Sequence, residues 1–478
     1  MVPAAGLDYY VIHHRGEPPM GVYTTIDPAT GDATAQYPEI SDAELDTLIK
    51  NSAAAYRSWR TTTLEQRRAV LTRTAEIHRE QAEELAKLLT LEMGKPIAQA
   101  RGEVELVASI YQHYADNLEE YLADESLTFR GSGTAVVRTE PIGPLVGVMP
   151  WNYPYYQVAR FAAPNIALGN TIILKHARNC PQSALAIERV LTEAGLPAGV
   201  YANAFISSAQ VAAAVADRRV QGVSLTGSEK AGAAVGEVAG RNLKKCVLEL
   251  GGSDPFIVLD DADIDAAAAA AVIGRLSNGG QACTASKRFI VADSVYEEFL
   301  QKFLDAMASW QTGDPTDSGT KLGPLASAAG VEELDELVQD AVSHGAKLLL
   351  GGERPDGPGA YYPATVLAGV TPAMRAFTEE LFGPVAVVYR VGSLQEAIDL
   401  ANNSPFGLSS SVFTSDARNA ERLAEELEVG MVWINSTSKS SPDLPFGGVK
   451  GSGFGRELAG YGFNEFANKK LVRNPGAR

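Results

Sequence analysis

The run Leu145-Val146-Gly147-Val148-Met149 opens the part of the chain that decides the fold. Four more short apolar runs follow it, and amphipathic stretches separate them. Such an alternation is typical of a parallel sheet with helices on both faces, so we expect an α/β domain here. The apolar runs are 145–149, 171–174, 200–205, 221–226 and 245–250, and the helical stretches are 155–168, 181–194, 208–218 and 228–240.

A second alternation of the same kind occupies the next part of the chain. It predicts a second α/β domain after the first. The strand-like runs are 255–259, 287–292, 347–350, 385–391, 409–413 and 430–434, and the helical stretches are 263–276, 294–309, 329–344, 394–402 and 416–427.

The segments that flank these domains have other patterns. Apolar residues at helical spacing predict helices over 41–59, 64–92 and 97–122, and Ser41 with Glu44 forms a capping-box pattern. The glycine-rich stretch 127–138 predicts a hairpin or extended arm, and the run 466–473 predicts a short edge strand.

Charge and cysteine content limit the classes of function. The 478 residues include 41 Lys+Arg and 58 Asp+Glu, a formal charge of −17, which argues against nucleic-acid or anionic-membrane binding. Three scattered cysteines fit a reducing compartment. Residues 1–8 lack the features of a signal peptide, and no apolar run is long enough to span a bilayer. A cytoplasmic protein is the expectation.

A glycine turn follows the apolar run 221–226. Gly227 and Ser228 open a predicted helix that contains Gly232. Backbone N–H groups at such a turn can approach a pyrophosphate, although a purely structural helix start fits the spacing equally well.

Cys283 lies in the polar stretch Asn278-Gly279-Gly280-Gln281-Ala282-Cys283. A glycine-rich turn of this kind can expose a reactive thiol, whereas most cysteines are buried and inert. Cys180 and Cys246 fit that second description better, since Cys180 precedes a helix and Cys246 lies in an apolar strand.

Two charged residues end predicted strands. Glu249 lies within the apolar run 245–250, where burial would raise its pKa towards that of a general base, or where a partner could make it a structural carboxylate. Lys175 ends the run 171–174, at the strand end where doubly wound sheets bind anionic ligands; a solvated lysine is the alternative.

Patterns for other chemistries are missing from the sequence. The six histidines include no H-x-x-x-H pattern and the cysteines no C-x-x-C, so we expect no metal site. Neither a G-x-S-x-G elbow nor a P-loop occurs.

Taken together, these motifs resemble the aldehyde dehydrogenase superfamily. The resemblance runs from about residue 20 to 473, and the motifs follow the family's order. They are Met149-Pro150-Trp151-Asn152-Tyr153-Pro154, the strand end at Lys175, Leu225-Thr226-Gly227-Ser228, Leu248-Glu249-Leu250-Gly251-Gly252, Gly280-Gln281-Ala282-Cys283, Glu379-Glu380-Leu381-Phe382-Gly383-Pro384 and Pro445-Phe446-Gly447-Gly448.

The resemblance implies a catalytic mechanism. Cys283 would attack the aldehyde, with the Asn152 amide and the Cys283 N–H holding the oxyanion. Glu249 would then activate water to release the acid from the thioester. The resemblance also implies that Glu380 binds the nicotinamide ribose and that Phe382 lies beside the nicotinamide ring. The full set of cofactor-binding residues that it implies is Trp151, Lys175, His176, Arg178, Gly227, Ser228, Gly232, Glu380 and Phe382.

The cofactor preference can be inferred from Arg178. Members of the family that prefer NAD often have a glutamate three residues after the lysine, and this chain has Arg178 there. An arginine can pair with a 2′-phosphate, so NADP is the expected cofactor, with NAD as the alternative.

Three stretches, residues 151–160, 250–256 and 286–291, look most like succinate-semialdehyde dehydrogenases within the family. In that group an arginine at the position of Arg160 grips the substrate carboxylate, helped by a serine that Ser440 or Ser441 would match. Where several members have a second arginine, this chain has Ser277, and Lys439 could supply that charge. The alternative for Arg160 is a salt bridge.

The resemblance implies three structural units and a homodimer or homotetramer. These are a Rossmann-type cofactor domain (1–122 and 141–248), a catalytic domain (249–444) and a β oligomerisation arm (123–140 and 456–478). The substrate would be a small aldehyde with a carboxylate. Two other functions remain as alternatives. The protein could be a broad-range or amino-aldehyde dehydrogenase, or a family member that has a binding or structural role without turnover.

Overall fold

The structure is a computed structural model that describes residues 21–475. A hairpin and four helices begin it, and side-chain capping boxes start the first two helices. The predicted helix over 64–92 is two helices, because Gln81 leaves the helical conformation (φ −104°, ψ 18°). Numbered in chain order, the elements are β1 Val22–Ile26, β2 Ala33–Pro38, α1 Asp42–Trp59, α2 Leu64–Glu80, α3 Ala82–Met93 and α4 Ile97–Tyr121.

The first alternation folds as predicted into five parallel strands with helices between them, and a late strand that was not predicted makes the sheet six-stranded. Its elements are β5 Pro144–Val148, α5 Pro154–Leu168, β6 Thr171–Lys175, α6 Pro181–Glu193, β7 Tyr201–Asn203, α7 Ser208–Ala216, β8 Gly222–Thr226, α8 Glu229–Arg241, β9 Lys245–Glu249 and the late strand β19 Gly453–Phe454. The strand order is β19-β9-β8-β5-β6-β7, with only the short edge strand β19 antiparallel to its neighbour.

The second alternation forms a seven-stranded sheet in the order β12-β13-β14-β11-β10-β16-β17. The strand β13 was not predicted, and the edge strand β12 is antiparallel to it. The elements are β10 Asp254–Val258, α9 Ile264–Leu276, β11 Ser286–Ala292, α10 Tyr296–Ala308, α11 Ala328–Ser343, β12 Lys347–Leu350, β13 Thr365–Ala368, α12 Arg375–Thr378, β14 Val385–Val391, α13 Leu394–Asn402, β16 Ser409–Phe413, α14 Ala417–Glu426 and β17 Met431–Ile434.

Two small sheets complete the described chain. One pairs β15 Phe406–Gly407 with β18 Val449–Lys450. The other has the order β20-β4-β3, from β3 Glu125–Ser126, β4 Thr134–Pro141 and β20 Ala467–Asn474. The predicted arm and edge strand therefore pair with each other, and Leu471 on β20 is 61% exposed.

Helix α5 lies at the centre of the largest core. Every one of its residues is buried, including the polar residues Gln157, Arg160 and Asn165, and most of the others are apolar. The turn that carries Asn152 leads directly into this helix, so the rigid core fixes the position of the turn.

Within residues 21–475, no helix is long and apolar enough to cross a bilayer. The expectation about a signal peptide at residues 1–8 lies outside the described residues. So do the outer ends of the predicted cofactor domain and arm, at 1–20 and 476–478.

Candidate active site

The first sheet brings two of the predicted motifs together. Strands β6 and β7 lie on one side of β5 in the sheet, and β8 and β9 lie on the other. The order in which strands are added to the sheet therefore switches sides at β5. Ligands of such sheets bind outside the carboxyl ends of the strands at this switch point. The loop after β5 carries Trp151 and Asn152, and the loop after β8 carries Gly227 and Ser228.

Two cavities meet at Cys283. One has a volume of about 270 Å³ and lies over the switch point, and the other has a volume of about 440 Å³. Cys283, Asn152 and Gln157 line both. The first cavity is also lined by Trp151, Gly227, Ser228, Glu380 and Phe382, and the second by Tyr153, Tyr156, Lys439, Ser440 and Phe446.

A left-handed loop presents Cys283 at this junction. Asn278, Gly279 and Gly280 all have positive φ (56°, 64° and 73°), a left-handed conformation that glycine adopts freely and asparagine more readily than most other residues. The Asn278 side chain donates to the carbonyl of Gln281 at 3.2 Å, and Arg275 Nη2 donates to Gly280 O at 2.7 Å. Arg275 is thus a buried support of this loop.

The amide of Asn152 points at the cysteine loop. Its Nδ2 donates to the carbonyl of Gln281 at 3.1 Å, and its Oδ1 accepts from the N–H of Tyr153 at 3.1 Å. Because a carboxamide nitrogen carries two hydrogens, a second donor remains for an oxygen bound near Cys283.

A buried ion pair that sequence reasoning missed holds the Asn152 turn. Lys95 pairs with Glu103 and donates to Asn152 O at 3.0 Å. Glu103 accepts from the N–H groups of Tyr155 and Tyr156 at 3.0 and 3.1 Å, at the start of α5. In the sequence this pair is indistinguishable from surface Lys–Glu pairs, because only the fold shows that both side chains are buried.

Glu249 ends β9 and is 2% exposed. Among the described residues, neither carboxylate oxygen has a hydrogen-bond partner. Burial raises its pKa well above the usual range, Arg160 opposes this shift, and Glu457 adds to it. This raised pKa agrees with the prediction from its strand position and suits a general base.

The thiol of Cys283 lies among charged groups. Part of the residue remains accessible, but the thiol is deep enough for burial to raise its pKa to about 12. Arg160 and Lys287 lower this pKa, and Glu380 and Glu249 raise it. Two buried cations therefore favour the thiolate against the effect of burial.

Glu380 and Phe382 lie on the far side of the first cavity. Glu380 Oε1 accepts from Lys287 Nζ at 2.9 Å and from the N–H of Gly252 at 3.2 Å. The rings of Phe382 and Trp151 meet edge to face, with their centroids 5.6 Å apart. The carboxylate and the aromatic pair line one wall of the cleft.

Two cations lie at the other end of the switch-point crevice. Burial, with Arg178 nearby, lowers the pKa of Lys175 to about 8. Arg178 pairs with Glu39, and its side chain is 44% exposed. These positions can receive an anionic group from solvent.

His176 differs from expectation, and Gly232 has a packing role that the motif did not indicate. His176 is fully buried, with Nε2 3.0 Å from Pro154 O and Nδ1 accepting from the N–H of Ala177, so its ring offers no free nitrogen to a cofactor. A Cβ on Gly232 would lie 2.6 Å from the Leu250 side chain, so this glycine allows α8 to pack closely on Leu250.

Arg160 also differs from the expected carboxylate grip. It is fully buried and paired with Glu457, and its guanidinium lies 4.1 Å over the Phe446 ring. The alternative, a salt bridge, is what the structure contains. Sequence reasoning missed Glu457, which follows the glycine-rich tail and has no signal of its own.

The other residues expected to bind substrate are more accessible. Ser440 accepts from the hydroxyl of Tyr156 at 2.7 Å, and exposed Lys439 lines the same cavity. Ser441 is bonded to Asp443 instead and does not line this cavity.

Residues 21–475 contain no cluster of three or more His, Cys, Asp or Glu side chains arranged to hold a metal ion.

Comparisons with known proteins show which family the chain belongs to. The model of the aldehyde dehydrogenase family matches residues 17–472. Succinate-semialdehyde dehydrogenases [NADP(+)] from Deinococcus radiodurans and Mycobacterium avium are 52% and 45% identical, over 94% of this chain and 94% and 96% of theirs. The crystal structure of succinic semialdehyde dehydrogenase from Streptococcus pyogenes, in complex with NADP+, superposes with a TM-score of 0.93. It is 43% identical, over 95% of this chain and 100% of that one. The chain belongs to the aldehyde dehydrogenase family.

Proposed function

We propose that this protein oxidises succinate semialdehyde to succinate with NADP+ as the oxidant. The observation that carries the proposal is the position of Cys283 where two cavities meet, one for a cofactor and one for an aldehyde. The names of the similar enzymes support the choice of substrate and cofactor.

Acylation uses Cys283 and Asn152. The thiolate of Cys283 attacks the aldehyde carbon, and the carbonyl oxygen becomes an oxyanion. The second N–H of Asn152 and the backbone N–H of Cys283 donate to this oxyanion, in a pocket where fixed donors are most effective. NADP+, when bound, supplies the hydride acceptor that turns the adduct on Cys283 into a thioester.

The residues in and beyond the first cavity suit NADP+. Lys175 and Arg178 do not line this cavity but lie at and just after the carboxyl end of β6, beside β5, where their positive charge would suit the 2′-phosphate and ribose. Glu380, in the wall of the cavity, can accept from ribose hydroxyls. Trp151 and Phe382 line the cleft with aromatic surface.

Glu249 completes the reaction as general base. Its buried carboxylate takes a proton from water, the water oxygen attacks the thioester, and Cys283 leaves as thiolate. The raised pKa of Glu249 makes it a stronger base than an ordinary carboxylate.

The substrate cavity offers Lys439, Ser440 and Tyr156 to a carboxylate. One observation favours a second candidate, a dehydrogenase for uncharged or amino-aldehydes. Because Glu457 neutralises Arg160, exposed Lys439 is left as the cation lining the substrate cavity.

An aldehyde panel assayed with both cofactors tests the proposal. We expect kcat/KM for succinate semialdehyde to exceed that for butanal by about tenfold or more, and K439M to reduce this ratio. K50M, on the exposed side of α1 away from both cavities, serves as the control. Equal kcat/KM for the two aldehydes supports the second candidate, and full activity in C283A would exclude both.

We further propose that the protein is a cytoplasmic homodimer or homotetramer. Its three cysteines are free thiols, which suits a reducing compartment. The sheet β20-β4-β3 carries the exposed apolar residues Leu471 and Leu127, which a second copy could cover. Light scattering after gel filtration should show a monomer for L471K if this sheet is the interface.

A further inference from the structure

Lys287, near the start of β11, has its ammonium group in the protein interior. The side chain is 0% exposed. A buried ammonium is costly unless each of its three N–H groups finds an acceptor. Here Nζ has three oxygens as partners: Ala282 O at 3.0 Å, Cys283 O at 3.0 Å and Glu380 Oε1 at 2.9 Å.

The bond to Ala282 O acts on the backbone N–H of Cys283. This carbonyl and this N–H belong to one planar trans peptide and point in opposite directions. Holding the oxygen on Lys287 therefore fixes the direction in which the N–H of Cys283 points. An ammonium on the carbonyl also polarises the peptide and makes its N–H a better donor.

The same ammonium connects the cysteine turn to the cofactor side of the cleft. Glu380 accepts both from Lys287 and from the N–H of Gly252. Gly252 in turn lies against the cysteine turn, since a Cβ there would come within 2.5 Å of Cys283 O. A side chain at residue 252 would push the two apart.

We propose that Lys287 is a positioning residue for the nucleophile and for its oxyanion-binding N–H, and that it links both to Glu380. The proposal rests on the function proposed for Cys283. The positive charge of Lys287 also lowers the pKa of the Cys283 thiol, in the direction that favours attack.

Three substitutions separate the charge from the hydrogen bonds. K287M removes both, K287Q keeps N–H donors without the charge, and K287R keeps the charge. K244M is the matched control, because Lys244 also donates to two backbone carbonyls, of Asp217 and Val220, but precedes β9 at the end away from Glu249.

The first readout is the alkylation of Cys283 by iodoacetamide without aldehyde or cofactor, followed on the Cys283 peptide by mass spectrometry. At about pH 9 we expect alkylation to be about tenfold slower in K287M and K287Q than in wild type, which corresponds to a pKa about one unit higher. K287R and K244M should react at about the wild-type rate.

The second readout is steady-state kinetics. In K287M we expect kcat to fall about tenfold or more while the KM for the aldehyde changes less than about threefold, because the oxyanion exists only after attack. K287Q should lie between K287M and wild type. A loss of packing alone would leave the alkylation rate of the folded variants unchanged.

Wild-type alkylation and kcat in folded K287M would overturn the proposal, and the same result in K287Q would do so if K287M does not fold. Failure of the underlying function gives another result, namely aldehyde oxidation by C283A. The two failures are therefore distinguishable.

Discussion

The two ends of the cofactor cleft hold their charges in different ways. Near Cys283, three buried cations are each paired with a carboxylate: Lys95 with Glu103, Arg160 with Glu457 and Lys287 with Glu380. A fourth, Arg275, donates to the backbone carbonyl of Gly280. At the other end, Arg178 is 44% exposed and its partner Glu39 is 18% exposed.

Because of this difference, substitutions at the two ends of the cleft should have different energetic costs. Removing one partner of a buried pair leaves an uncompensated charge and costs about 3–5 kcal/mol. An exposed pair contributes about 0–1 kcal/mol. We therefore expect substitutions near Cys283 to affect both folding and turnover, and substitutions at Arg178 to affect only the choice of cofactor.

The largest effect should come from E249Q. The glutamine keeps the shape of the side chain but cannot take a proton, so kcat should fall about 10²–10⁴-fold. Rapid mixing should show one equivalent of reduced cofactor per site, followed by slow turnover, because only release of the acid is blocked. A loss of this first equivalent would contradict the role of Glu249.

The pH dependence of the wild type tests the same carboxylate. Because the pKa of Glu249 is raised, its basic form accumulates only at a pH above the range in which an ordinary carboxyl titrates, and kcat should rise with pH there. In E249Q the residual rate should lose this dependence. An equally steep profile in E249Q would assign the titration to another group.

The next effect is that of N152A. Loss of one oxyanion donor should lower kcat about 10²–10³-fold, with little change in the KM for the aldehyde. N242A is the control, because Asn242 also donates to a carbonyl, Val238 O at 2.9 Å, but lies on the exposed end of α8. Unchanged turnover in N152A would mean that the donor lies elsewhere.

K95M should affect stability as well as turnover. It leaves Glu103 buried without its partner, so the free energy of unfolding should fall by about 3 kcal/mol in urea titrations. It also removes the donor to Asn152 O, and we expect kcat to fall about tenfold.

The double variant K95M/E103Q separates these two effects. The glutamine that replaces Glu103 would keep an acceptor for the N–H groups of α5 but carries no charge, so stability should recover while kcat stays low. Recovery of both would show that Lys95 acts only through stability.

The fold was predictable from local patterns because the strands of both sheets are short apolar runs between amphipathic helices. The glycine-rich arm and the late edge run were each predictable, but the patterns did not indicate that β4 and β20 pair with each other. Strand β13 was missed because Thr365–Ala368 is short and follows an irregular stretch that predicts no element. The bend at Gln81 was missed because the apolar spacing continues across it.

The residues proposed to react were predictable from motifs, and those that support them were not. Cys283, Asn152 and Glu249 come together as expected, but Lys95, Glu103 and Glu457 become visible only when distant segments are packed. The same reason explains why Glu457 was not identified as the partner of Arg160, since it lies in the distant tail of the chain.

The smallest effect should come from R178E, at the exposed end of the cleft. A glutamate there repels a 2′-phosphate and can accept from ribose hydroxyls, so the NADP+/NAD+ ratio of kcat/KM should fall about tenfold. A tenfold fall lies at the lower end of the range expected for the loss of one charge-assisted hydrogen bond, because solvent screens the exposed Arg178.

Stability and the alkylation of Cys283 should not change in R178E, because Arg178 contributes only an exposed ion pair. Arg189 provides the matched control, being 37% exposed and paired with Glu84 away from the cleft, so R189E should keep the cofactor ratio of the wild type. If R178E keeps that ratio as well, Lys175 is left as the cation that selects the cofactor. The two ends of the cleft would then be alike in one respect, because the charge that selects the cofactor, on Lys175, would be largely buried, like the cations near Cys283.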